Sequence, residues 1–335
     1  MVSPLRDARA QSHAVDRRAQ RSARRAERSA RTAELHLSNP RFGITDVSLV
    51  LMALIWGINF SVVKYGTTAL TPLAYNVIRV ALAAVSLLVV AQIWTWRAGP
   101  VASGWPARRD TLALLGLGTL GNGLYQIFFI EGLARTRAGD AALVIAASPA
   151  FIALIGRMRG TERVALRGFL GITLSIAGIG LVVAGSAEVG DARRLSLIGD
   201  LLILAGCLCW AIYTVFLQPY THRVGGLHLS ALTMAGGVVP LLAVAVPALI
   251  ATTWSTVPAP AWGAIAYSGF GALVLAYLFW YRGVRILGPT RTAMYSNLQP
   301  LFALLVAWLT LGETPTLWQV AGAVAIIGGL LLTRT

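Results

Sequence analysis

Charge is scarce along most of this chain. Only 12% of the 335 residues are charged, about half the share of an ordinary soluble domain. The one lysine, Lys64, is followed by Tyr65, so no Gly-Lys-Ser/Thr phosphate loop exists and ATP drive through one is excluded. Cysteine is limited to Cys207 and Cys209, whose CxC spacing points them to different faces of a helix, with no histidine nearby to complete a metal site. Both read as small apolar packing residues. The sequence carries no HExxH, no GxSxG and no paired acids inside an apolar run, so enzyme chemistry has no foothold and no cofactor is implied.

What is abundant is apolar sequence, 56% of residues. It falls in ten runs nearly free of charge, each about 17 to 25 residues long and so able to cross a hydrocarbon core of ~30 Å. The runs cover 44–64, 72–93, 111–131, 139–156, 165–185, 198–218, 228–250, 262–281, 290–311 and 317–333. They are continuously apolar, without the alternation of a barrel strand, so the expected fold is an all-α integral membrane protein of ten transmembrane helices.

The net charge of +15 invites a nucleic-acid reading, and its location argues against one. Residues 1–43 hold ten arginines and four acids but no aromatic residue before Phe42. The expectation is a disordered basic arm on anionic lipid, with no nucleic-acid partner. The arm has no apolar h-region and is not expected to be a signal peptide. With the N-terminus inside, twelve arginines fall in cytoplasmic loops and five basic residues (Lys64, Arg135, Arg137, Arg193, Arg194) fall outside. That asymmetry predicts both termini to be cytoplasmic in a cell inner (plasma) membrane. Trp94, Trp96, Trp105, Trp254, Trp262 and Trp318 fall at span ends, as interfacial anchors do.

An internal repeat organises the rest. A constant offset of 151 superposes Phe128 on Phe279, Gly132 on Gly283, Ala142 on Ala293, Pro149 on Pro300 and Phe151 on Phe302. The same offset pairs Glu162 with Glu313, Gly171 with Gly322 and Gly178 with Gly329. Upstream, an offset of 154 pairs Asp46 with Asp200, Leu54 with Leu208 and Trp56 with Trp210. Two halves, 44–185 and 198–333, are thus expected to be duplicates of five spans each. Five is odd, so the second half enters the membrane from the opposite side and the repeats are inverted, an arrangement that places a carrier's site at the midplane between them.

The segments IWGINFSVVKYG (55–66), GLARTRAGDAALVIAASPAFIAL (132–154) and GVRILGPTRTAMYSNLQPLFALLVAWLTLGETPTLWQVAGAVAIIGGL (283–330) resemble the EamA-type permeases of the drug/metabolite transporter superfamily. The likeness covers roughly residues 44 to 333. It implies a 5 + 5 inverted-repeat permease without a prosthetic group, often an exporter of amino acids or other metabolites. One departure is that AWLTLGE in the second half is matched by GRMRGTE (156–162) in the first, so the fourth span either ends early or lets Arg157 and Arg159 snorkel to the cytoplasmic surface.

Several residues are candidates to line a substrate site. Trp56 and Trp210 each lie ten residues beyond an acid, about 15 Å along a helix and too deep for interfacial anchoring. Asn59 and Tyr213 follow on the same faces. The third span carries Asn122, Tyr125, Gln126 and Phe129 at i, i+3, i+4 and i+7; the eighth has Tyr277 near Trp280 and Tyr281, and the ninth has Tyr295 and Gln299. Polar groups at this depth face either a cavity or a neighbouring helix. Pro149 and Pro300 free carbonyls four residues back and serve as kinks or hinges. Arg79, the one charge deep in a span, holds a substrate carboxylate or pairs with Glu131 or Asp140. Glu131 is the candidate proton-coupling site. The function these features favour is a gradient-driven or facilitated transporter of a small organic metabolite, working by alternating access. The alternative is a non-transporting membrane partner or sensor built on the same bundle.

Overall fold

The computed structural model describes residues 43–98, 104–160, 166–184 and 191–334. The basic segment 1–42, and with it the expected arm, lies outside the described residues. Every regular element among them is helical: α1 (Ile44–Ala69), α2 (Pro72–Ala98), α3 (Arg108–Arg135), α4 (Ala138–Met158), α5 (Leu166–Ala184), α6 (Asp191–Thr221), α7 (Gly226–Ala251), α8 (Ala259–Leu287), α9 (Pro289–Leu311) and α10 (Leu317–Arg334).

Eight of these helices are long and apolar enough to cross a membrane. The other two, α5 and α10, contain only the shorter apolar stretches Arg167–Val182 and Leu317–Gly329, so the ten full-length spans read from the sequence are not all matched. At 19 and 18 residues these two helices are about 28 and 27 Å long, close to the hydrocarbon thickness. Elsewhere the helices outrun the apolar segments. α3 begins at Arg108 rather than 111 and ends at Arg135 rather than 131, because hydropathy reports where lipid ends and backbone hydrogen bonding continues past that point.

Two irregularities recur at matching positions. α3 is π-helical over Thr119–Leu124, and α8 is π-helical over Tyr267–Leu275, a stretch that includes the positions 151 residues on. α4 breaks between Ile145 and Ser148, immediately before Pro149, and α9 has a 3-10 turn over Ser296–Leu298, immediately before Gln299 and Pro300. A proline supplies no N–H and its ring clashes with the preceding turn, which accounts for both breaks.

Packing is tightest where glycine removes the side chain. A Cβ on Gly236 of α7 would lie 2.1 Å from the carbonyl oxygen of Leu115 in α3, and one on Gly118 would lie 2.0 Å from that of Thr233 in α7. Gly178 and Gly329 do the same for α5 and α10: a Cβ on the first would meet Gly322 O at 2.9 Å, and on the second Gly171 O at 2.4 Å. Gly178 facing Gly322 and Gly171 facing Gly329 means that α5 and α10 run antiparallel. Gly236→Ala is therefore expected to lower stability by about 1–3 kcal/mol through overpacking. Gly263→Ala, where a Cβ meets nothing within 4 Å, is expected to be neutral or slightly stabilising. Thermal unfolding of the two purified variants checks the contrast.

The helix ends account for several charges. Lys64 at the end of α1 donates to the carbonyls of Leu133 and Thr136, closing the C-terminus of α3. Glu313, just past α9, accepts from the backbone N–H groups of Ala138 and Gly139 at the start of α4. Gly312 makes that reversal possible, because its φ of 68° is strained for any residue with a Cβ. α4 ends at Met158, and the exposed Arg159 just beyond it donates to Val215 O at 3.1 Å and lies over the Phe216 ring of α6, tying the end of α4 to α6. The six tryptophans expected as anchors are all exposed.

Candidate functional site

Two tryptophans from different helices set the centre. Trp56 of α1 donates its indole N–H to Ala272 O, 2.9 Å away in the π-helical part of α8. Trp210 of α6 meets it edge-on, with ring centroids 6.1 Å apart. Tyr125, Tyr277 and Trp280 complete an aromatic wall, each within 5.2–5.5 Å of Trp210. These rings border a small cavity of about 50 Å³ between α1, α2, α3, α4, α6, α8 and α9.

The polar part of the lining is small and well held. Asn59 accepts from Ser268 Oγ at 2.6 Å, and Ser268 is in turn bonded to the hydroxyl of Tyr75. Arg79 is 1% exposed. Its Nε donates to Asn76 Oδ1 at 2.9 Å and an Nη to Gln126 Oε1 at 2.7 Å, while the rings of Phe129 and Tyr75 lie 5.5 and 5.9 Å from its guanidinium carbon. Gln126 reaches on toward the Tyr277 hydroxyl at 3.5 Å, and Asn76 donates to the Gln126 carbonyl. A buried cation is thus solvated by two amides and two ring faces.

The ion pair weighed for Arg79 does not form. Among the described residues no carboxylate reaches it. Glu131 pairs instead with Arg135 one turn on, and Asp140 accepts from Gln319 Nε2 at 2.8 Å. Both acids lie toward the ends of their helices, whereas Arg79 is drawn to the centre. Glu131 does not line the cavity.

Of the residues singled out from sequence, Trp56, Asn59, Arg79, Tyr125, Gln126, Trp210, Tyr277 and Gln299 line this one space. Three others do not. Asn122 is buried where α3 meets Gly237 of α7, and the Tyr213 hydroxyl is 2.5 Å from that of Tyr281, which also reaches Thr233. Tyr295 donates to the Asp46 carboxylate near the start of α1. For the two tyrosines a neighbouring helix takes the hydroxyl, the alternative open to any such stripe, whereas the Asn122 amide is buried with no hydrogen-bond partner among the described residues. Pro149 and Pro300 sit beside the helix breaks, and the adjoining Ile145, Ser148, Ser296 and Gln299 face the cavity.

Phe60 and Ser148, which sequence reasoning passed over, Trp280, named there only beside Tyr277, and Ser296, reached there only as the residue four before Pro300, also line it. The repeat offset finds three of them. The lining maps largely onto itself under 151 residues: Gln126 to Tyr277, Phe129 to Trp280, Ile145 to Ser296 and Ser148 to Gln299, with Trp56 to Trp210 under 154.

Comparison with known proteins places this arrangement. The sequence profile of the EamA-like transporter family matches twice, over residues 43–184 and 197–335. An uncharacterized transporter of Archaeoglobus fulgidus is 32% identical over 297 residues, covering 86% of this chain and 96% of its own. A probable terminal-alkyne amino-acid exporter of Streptantibioticus cattleyicolor is 28% identical, covering 86% of this chain and 92% of its own. A solved crystal structure aligns with a TM-score of 0.61 at 19% identity, over 85% of this chain and 96% of that one, which shows a shared fold. With a family profile spanning both halves, relatives named as transporters and eight helices fit to cross a membrane, the chain belongs to the EamA-like transporter family and is a multi-pass membrane protein.

Proposed function

We propose that the protein is a secondary carrier that exports a small organic metabolite by alternating access, without a cofactor. The observation that carries this reading is the cavity whose lining repeats at the offset of the sequence duplication. A binding partner or sensor has no need of a site shared equally by two halves. A carrier gains from it two nearly equivalent states, one open to each side.

In this reading all ten helices cross the membrane as two inverted five-helix repeats, 44–185 and 198–333. Support comes from the antiparallel contact of α5 with α10, since the offset exchanges its two glycine pairs, as a local two-fold axis requires. The twofold match of the family profile and the paired π-helical stretches point the same way. Pro149 and Pro300 are the hinges on either side of the cavity, because the breaks before them move Ser148 and Gln299 directly. Both termini are cytoplasmic in the inner (plasma) membrane, and residues 1–43 rest on anionic lipid. Two relatives whose names describe amino-acid or amino-acid metabolite efflux support outward movement of a compound related to amino acids.

Purified protein in liposomes tests the proposal. Saturable counterflow of one solute class, absent from empty vesicles, is the expected result. Trp56→Ala is expected to reduce it at least about tenfold, because the indole both fills the cavity and fixes the π-helical segment of α8. Binding without flux would instead identify a non-transporting partner.

A further inference from the structure

We propose that the cavity selects an organic monoanion, a carboxylate on a flat apolar body, over the zwitterion or cation of the same skeleton. The inference rests on the carrier reading and names its substrate class. It starts from charge balance. Arg79 is the one charged side chain lining the cavity among the described residues, and it is wholly buried. Its partners, Asn76, Gln126 and two aromatic rings, are all neutral. A carboxylate brings the loaded site to neutrality, whereas a zwitterion leaves one uncompensated positive charge in a low-dielectric interior and an amine doubles it.

The donor count agrees. A guanidinium presents five N–H groups in a planar fork, and the protein acceptors Asn76 and Gln126 take two of them. The remaining donors suit the bidentate geometry of a carboxylate. A free amino acid would also need an acceptor for its ammonium, and no acidic side chain lines the space. The acids nearest in sequence to the lining are engaged elsewhere: Asp46 with Tyr295, Glu131 with Arg135, Asp140 with Gln319, and Asp200 with Thr136.

The repeat shows that this charge is particular to one half. Under the offset of 154 the counterpart of Arg79 is Thr233, and the backbone packing corresponds, with Gly118 against Thr233 mirrored by Gly269 against Arg79. Thr233 is fully buried, bonded to the Leu229 carbonyl and near the Tyr281 hydroxyl, and it does not line the cavity. The site therefore has one anion-binding end, at α2 and α3. Trp56, Tyr125, Trp210, Tyr277 and Trp280 form the aromatic part of the remaining wall, surfaces that pack against a planar apolar group, and Asn59, Ser148, Ser296 and Gln299 its neutral polar part.

Three compounds sharing one skeleton separate the possibilities: 3-phenylpropanoate, phenylalanine and phenethylamine. Binding to the purified protein is read by quenching of tryptophan fluorescence, and transport by counterflow in liposomes. The expected result is that 3-phenylpropanoate binds at least tenfold more tightly than phenylalanine and that phenethylamine does not compete. Arg79→Gln is expected to weaken 3-phenylpropanoate at least tenfold and to erase the preference over phenylalanine. Arg79→Lys, which keeps the charge and loses the fork, is expected to fall between. Equal or tighter binding of phenylalanine, no binding of 3-phenylpropanoate, or a preference that survives in both Arg79 variants would overturn the proposal. Arg79-dependent binding of the anion without counterflow would uphold the anion site and sink the carrier reading. Counterflow of phenylalanine with no anion preference would do the reverse.

Discussion

Replacing Trp210 with alanine is expected to abolish counterflow and to cost about 3–5 kcal/mol of stability, the usual range for removing a large buried aromatic. The indole is 7% exposed and touches five other rings, those of Trp56, Tyr125, Tyr213, Tyr277 and Trp280, at centroid distances of 5.2–6.1 Å. Its loss opens a void at the point where helices from both halves meet. The wall then has no fixed shape for a ligand to select. Trp210→Phe keeps most of the ring contact, so it is expected to fold nearly as well as the wild type and to retain part of the flux. Unfolding temperature and counterflow measured on both variants separate packing from function. Wild-type flux in Trp210→Ala would place the ligand elsewhere.

Arg79→Met is expected to abolish function while leaving stability nearly unchanged. A cation at the centre of a membrane helix costs roughly 2.5–3.5 kcal/mol on insertion scales. In this protein that charge has neutral partners only. Methionine removes the charge and fills similar volume. It leaves two buried side-chain oxygens, those of Asn76 and Gln126, short of a donor, at about 1–2 kcal/mol each. The two terms nearly cancel, so stability is expected to change by less than about 1 kcal/mol, while saturable transport is lost. An arginine that merely completed the fold would instead give a methionine variant destabilised by about 3 kcal/mol or more. Thermal unfolding in detergent decides between them.

The order and extent of the helices were legible because lipid imposes one demand everywhere. An apolar run long enough to cross the core has no alternative to a helix, so runs such as 44–64 and 72–93 fall inside α1 and α2. Their ends were less legible: α6 extends from Asp191 to Thr221, well past the apolar segment 198–218, because the chain keeps its hydrogen bonds beyond the lipid. The π-helical stretches had no pattern to announce them. Glycines at 118, 121 and 123 mark where α3 passes close to its neighbours, yet the widened turn depends on what those neighbours are.

For the site, depth was readable and direction was not. Trp56, Trp210 and Gln126 stand out as polar or amphipathic groups far from either interface, and they do converge. Tyr213 and Tyr295 satisfy the same test of depth or spacing but turn toward Tyr281 and Asp46, since an intramembrane hydroxyl is equally served by a partner helix. Ser148 was hidden among apolar residues, and the duplication alone singles it out as the counterpart of Gln299. For Arg79 the sequence offers two acids, Glu131 and Asp140, as partners. The packing gives each of them another partner.

The central claim, one cavity opened alternately by two symmetric hinges, is tested most directly by the reactivity of a cysteine at position 148. Ser148 lines the cavity immediately before the hinge proline, and Cys207→Ala with Cys209→Ala provides a background free of other thiols. With the protein inserted in one orientation in liposomes, an impermeant thiol reagent is applied from either face, with and without a transported solute. The account predicts that Ser148→Cys reacts from both faces and that saturating solute on one side shifts the balance between them. Reaction confined to one face and indifferent to solute would contradict it.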